Sequence, residues 1–270
     1  MGNAGHTVAA GLLALLLVAC TRQAAPEQSV DAGTHTPPAP SAVLVSDCWV
    51  PTAGGNVAFS GDEARALTTR AGQLGRRTSD GAAVAGRLTA AVLAAAPEAG
   101  RDRAADVAGG LAGVPRANRL VCGYARSAAE PQRPAANGLV PRANLLRTAW
   151  TRVFGTLPAG GFAPGGVSTG HVDGSAHYEG RAMDVFFRPL GDDEQRRRGW
   201  VFAQWVLAHA PEHQVLSVIY DDHIWTSWAA GSGWRDHVHP GQTFAHRSNV
   251  VLRHLDHVHV AVESGEPFTG

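Results

Sequence analysis

Two segments far apart in the chain hold the residue types that bind metal ions, and a fold that uses them must bring the two together. The first is Ser175-Ala176-His177-Tyr178-Glu179-Gly180-Arg181-Ala182-Met183-Asp184-Val185, and the second is Leu255-Asp256-His257-Val258-His259-Val260. A catalytic zinc site takes three imidazole or carboxylate ligands at about 2.0–2.2 Å and leaves a fourth position to water. His177, Asp184 and one histidine of the second segment can supply that set. The second segment has the pattern of a β-strand, so His257 and His259 share one face while Asp256 and Val258 point to the other. One histidine can then bind metal while the other lines the same pocket. Most of the 13 histidines follow residue 170, which concentrates the chemistry in one region.

Charge narrows the partners. The 270 residues carry 23 basic and 23 acidic side chains, 44% are apolar and 17% are charged. A nucleic-acid partner calls for a basic surplus, and a disordered chain for fewer apolar residues, so both classes are excluded. Val8 to Ala19 is an unbroken run of small or apolar residues. It is too short for the roughly 20 residues of a membrane span but suits the hydrophobic region of a secretory signal. The run ends in Leu17-Val18-Ala19-Cys20, which resembles the lipobox of bacterial lipoproteins. That resemblance implies a signal peptide over 1–19, a lipidated Cys20 and a protein anchored by lipid to the outer face of the cell membrane. Residues 20–46, rich in Pro, Ala, Ser and Thr, read as a flexible tether. Cys48 and Cys122 remain, an even number in an oxidising compartment, and are expected to form a disulfide.

The pattern over 47–126 is helical and Ala-rich. Ser60-Gly61-Asp62-Glu63 has the form of a capping box, and Asp80 precedes a second helical run. Nothing in this module clusters catalytic residue types; its partner is unknown, and a structural or docking role is expected. A Pro-containing linker spans 127–138, and a mixed region follows over 139–270. There Leu139 to Phe154 reads as a core helix, Ala182 to Phe187 as a buried strand, Asp192 or Asp193 as a helix cap, and Val215 to Tyr220 and Leu255 to Val262 as strands. The expected fold is α+β, a small antiparallel sheet with flanking helices, preceded by the small helical domain.

The first segment fits S-x-H-x-x-G-x-A-x-D, and with the terminal H-x-H it resembles the superfamily of zinc D-Ala-D-Ala carboxypeptidases and L-alanyl-D-glutamate peptidases, whose fold is shared by the hedgehog signalling domain. The stretches GGFAPGGVSTGH, GSAHYEGRAMDVFF, DDHIWT, GWRD and HLDHVHV also resemble the carboxy-terminal domain of a group of secreted actinobacterial proteins. The superfamily resemblance implies one zinc per chain on His177, Asp184 and His259. It implies Asp256 as general base, in an (E/D)-x-x-H pattern, ahead of His257 at the H-x-H position; strand alternation alone favours His257. Arg181 is implied as an oxyanion or carboxylate stabiliser, and Ser175 and Tyr178 as substrate contacts. The implied reaction is amide hydrolysis in a peptidoglycan stem peptide. A zinc-retaining domain of the same fold that only binds cell-wall peptide or a protein partner is the alternative.

Other polar groups compete for these roles. Asp236-His237-Val238-His239 repeats the D-H-V-H string, but Pro240-Gly241 follows it and makes it a turn. His171 and Asp173 are either support for the ligands or loop polar groups. Asp221, Asp222 and His223 read as a solvated strand end, and Trp200, Trp205, Trp225, Trp228 and Trp234 as core or pocket wall.

Overall fold

Ala-rich helices bury little area each, so they need a partner surface, and the chain supplies one in a long apolar helix. A computed structural model describes residues 48–114, 117–124, 126, 128–237 and 249–265. The expected signal peptide, the tether, Cys20 and His239 lie outside the described residues. The amino-terminal part opens with β1 (Cys48–Val50) and β2 (Val57–Phe59), followed by α1 (Gly61–Gly75), α2 (Gly81–Ala95), α3 (Gly100–Leu111) and β3 (Val121–Cys122). The capping box is formed: Ser60 accepts from the Glu63 backbone, and Glu63 accepts from the Ser60 backbone. Asp80 caps α2 by accepting from Ala82 and Ala83. The three helices match the sequence pattern, whereas the small sheet β2-β1-β3 does not, because strands of two or three residues are too short to show a period of two. Cys48 and Cys122 face each other across β1 and β3 and are disulfide-bonded.

The carboxy-terminal part holds α4 (Pro141–Phe154), β4 (Ala159–Gly160), β5 (Ala182–Phe186), α5 (Asp193–Ala208), α6 (Ala210–His213), β6 (Val215–Tyr220), β7 (His223–Thr226), β8 (Arg235–Asp236) and β9 (His257–Val262). Pro141 sits in the first turn of α4, where its missing N–H costs nothing. Six strands form one antiparallel sheet in the order β4-β5-β9-β6-β7-β8. The fold is thus α+β, with an antiparallel sheet and flanking helices.

Helix α5 joins the two parts. From Gly199 to Ala208 every residue is buried, as expected of a helix covered all round. It packs on α1 and on β6, and Phe202 meets Trp150 and Phe154 edge-on at 5.3 Å each. Gln204, fully buried, accepts from the Leu120 backbone at 2.9 Å and donates to the Gly110 carbonyl at 2.9 Å. Among the described residues no helix is long and apolar enough to cross a membrane.

The sheet is two-faced. Met183, Val185, Val258, Val260 and Val262 are buried on the core face. Alternation therefore turns Asp184, Phe186, His257 and His259 to the opposite face.

Candidate metal centre

Strand pairing assembles the site. In the β5/β9 register Asp184 lies directly opposite His259, and Phe186 opposite His257. His177 arrives from the turn before β5, and two glycines make its position possible. At Gly180 φ is +68°, and a Cβ would come within 2.2 Å of the Gly138 carbonyl oxygen. At Gly161 φ is +77°, and a Cβ would come within 2.4 Å of the His177 ring. Only glycine fits either place. Ala182 of the motif is fully buried, which limits its size.

Three donor atoms converge there. His177 Nε2 is 3.0 Å from His259 Nδ1 and 3.3 Å from Asp184 Oδ1, and His259 Nδ1 is 3.1 Å from Asp184 Oδ1. Ligand atoms around a tetrahedral ion with bonds of about 2.0–2.2 Å stand about 3.3–3.6 Å apart, so this triangle needs only slight widening to accept one. The His177 Nδ1–H donates to the Gly161 carbonyl at 2.8 Å, which leaves the Nε2 lone pair aimed inward. A carbonyl behind a ligating imidazole is the usual orienting device. Burial pushes His259 toward the neutral form, despite Asp184 beside it. Burial alone would raise the Asp184 carboxyl, but the neighbouring His177 and His259 rings outweigh it and hold the group well below the usual carboxylate range. Neutral imidazole and ionised carboxylate are the forms a cation requires.

His171 also belongs to the cluster: with His177 and Asp184 it offers ligand atoms within 4.8 Å of one another, and the three could hold a metal ion. Its ring stacks on that of His177 at 3.8 Å and 15°. An ion lies in the plane of each imidazole that binds it, and two nearly parallel planes do not meet at bonding distance. As the rings stand, it is His259 Nδ1 that lies against both His177 Nε2 and Asp184 Oδ1, while His171 covers the face of His177.

His257 and Asp256 take different positions. His257 Nδ1 donates to Asp256 Oδ1 at 2.8 Å, and His257 Nε2 stands 3.7 Å from Asp184 Oδ1. The other Asp256 oxygen accepts from Arg188 Nε at 2.8 Å and NH2 at 2.7 Å. Burial would raise Asp256, but His257 and Arg188 hold it below the ordinary carboxylate range. Asp256 is thus behind His257, as strand alternation implies, with both oxygens engaged.

The remaining expected residues divide. Ser175 lines the cleft and its Oγ accepts from the His177 backbone at 3.4 Å. The Tyr178 hydroxyl is spent on the backbone of His171, accepting from its N–H at 3.0 Å. Arg181 is directed away from the cleft: it donates to Glu179 at 2.5 Å and to the Val262 carbonyl at 2.8 Å. His237, from the upstream D-H-V-H string, lines the cleft, while Asp236 sits in β8. Asp221 is bound by Arg196 and by Trp200 Nε1, and Asp222 by Arg253, away from the donor triangle.

The cleft over the triangle has a volume of about 350 Å³, with apolar walls from Val172, Ile219, Val251 and Leu252. A larger hollow of about 410 Å³ lies at Asp192, Asp221 and Asp222, but its two strand-end aspartates are already neutralised by arginine. Sequence reasoning missed two residues. His254, whose ring lies 4.8 Å from that of His257 and 5.7 Å from that of His259, lines the cleft and is pushed toward neutrality by burial. Arg188 supports Asp256, and its place two residues after Phe186 and four after Asp184, in step with the strand alternation, was the available signal.

The family model described as VldE, C-terminal domain, matches residues 135–247. The matched stretch takes in His171, His177 and Asp184 and stops short of His257 and His259. No curated protein and no solved structure matches the chain.

Proposed function

We propose that this chain is a zinc-dependent peptidase of the D-Ala-D-Ala carboxypeptidase and L-alanyl-D-glutamate peptidase superfamily. It hydrolyses an amide bond in peptidoglycan stem peptides from a lipid-anchored position outside the cell membrane. The observation that carries the reading is the convergence of His177 Nε2, Asp184 Oδ1 and His259 Nδ1 within 3.3 Å, with His257 Nε2 beside them. A structural zinc is normally closed by four protein ligands, whereas three ligands and an adjoining base leave room for chemistry.

His177, Asp184 and His259 would hold the ion. Zinc bound there supplies Lewis acidity toward a carbonyl and makes water acidic near neutral pH. His257 Nε2 takes the proton of the attacking water and returns it to the leaving amine. Asp256 fixes the tautomer by accepting from Nδ1–H, and Arg188 holds Asp256 in place. Tyr178 and the His171 ring fix the loop over His177. Asp256, implied as the base by resemblance alone, has the positioning role in this scheme.

Zinc-loaded protein incubated with purified stem peptides tests the reading. A new amine or a released D-alanine, absent with His257→Gln, is the expected result. Peptides left intact by a protein that carries zinc would favour the binding-only alternative.

A further inference from the structure

Helix α5 carries three successive arginines after its first turn, and they differ in their partners. Arg196 donates to Asp221 at 2.9 Å, and Arg197 to Glu194 at 2.7 Å. Arg198, half-buried, has no hydrogen-bond or ion-pair partner among the described residues. It faces a depression of about 300 Å³ that Arg188 also lines, together with Gln195, Leu157, Pro158 and Phe186. No lining residue is acidic. Arg188 lies 4.2 Å over the Phe186 ring and spends Nε and NH2 on Asp256, so its NH1 has no partner among the described residues. Its side chain is 57% exposed.

Two guanidinium groups thus border one hollow with nothing negative between them. Partial burial of an unanswered cation is unfavourable, and an oxyanion relieves it through charge-assisted hydrogen bonds to the planar fork. The floor is apolar, formed by Phe186, Leu157 and Pro158. This combination suits a carboxylate on a short aliphatic side chain better than a fully hydrated anion.

We propose that the Arg188–Arg198 depression is an anion subsite that receives a side-chain carboxylate of the peptide substrate. The proposal rests on the peptidase reading, because Phe186 and Asp256 connect the depression to His257. Arg198 would choose acidic over neutral substrates without touching the scissile bond.

Titration of the full-length, zinc-loaded protein with acetyl-Ala-Glu-amide and acetyl-Ala-Gln-amide tests it, with cleavage of stem peptides followed separately. The acidic peptide should bind at least about tenfold tighter, roughly 1.4 kcal/mol. In Arg198→Gln that preference should fall to near unity while the glutamine peptide binds as before, and Arg198→Lys should keep most of it. An unchanged thermal midpoint for both variants excludes misfolding. Equal binding of the two peptides by the wild type, or a preference that survives Arg198→Gln, overturns the subsite. So does inorganic phosphate if it displaces the acidic peptide at equal concentration, since the hollow would then be a bare phosphate site. Cleavage without preference removes the subsite and leaves the peptidase; preference without cleavage removes the peptidase and leaves an acidic-peptide binder.

Discussion

At the residue scale, small atoms decide what the donor triangle can do. Gly161 has no room for a methyl group beside the His177 ring, so Gly161→Ala should displace His177 and weaken zinc affinity by at least tenfold in a chelator competition. Unchanged affinity would mean that the Gly161 carbonyl does not set the ring. Arg181 leads to the opposite expectation. It binds Glu179 and the Val262 carbonyl and not the cleft, so Arg181→Gln should leave stem-peptide cleavage within about twofold and cost about 1 kcal/mol of stability, one net hydrogen bond. A hundredfold fall in kcat at normal stability would return Arg181 to the chemistry. The placing of Asp184, His257 and His259 on one face of the sheet was legible in the sequence because period two is a strong signal. The rotation of Arg181 was not, since the choice between Glu179 and an oxyanion depends on where the loop before β5 turns.

At the element scale, α5 packs the amino-terminal helices against the six-stranded sheet, and the disulfide ties β1 to β3. Gln204 satisfies the Leu120 N–H and the Gly110 carbonyl inside the core. Gln204→Leu strands both and should cost about 3 kcal/mol in denaturant unfolding; a loss below about 0.5 kcal/mol would show that the contact carries no weight. The Cys48–Cys122 bond closes a separation of 74 residues, for which the chain-entropy model gives about 4 kcal/mol. Reduction should lower the unfolding midpoint accordingly. The caps at Ser60 and Asp80 and the buried strands β5, β6 and β9 were readable from local chemistry. The short strands β1, β2 and β3 were not, because their pairing partners are set by the disulfide and by tertiary contacts beyond any local window.

At the scale of the whole molecule, stability depends on pH through buried histidines. His209, stacked on Trp205 and bonded to its carbonyl, is pushed down from 6.5 to about 4 by burial, with His213 and Arg65 nearby adding to the shift. The unfolded chain therefore takes up that proton first. Its contribution is complete above pH 6.5, is lost as pH falls toward 4 and is constant below; over that window it amounts to about 3 kcal/mol. His209→Gln should flatten the stability curve between pH 6.5 and 4 by about one proton, and an unaltered slope would exclude the assignment. The architecture joins one core face to one polar, histidine-bearing face of a single sheet, and function depends on what that second face binds. The most direct measurement is the zinc content of purified protein by elemental analysis, with His259→Ala and His171→Ala beside it. About one zinc per chain is expected, retained in His171→Ala and lost in His259→Ala. No metal in the wild type, or metal lost with His171 and kept without His259, would contradict it.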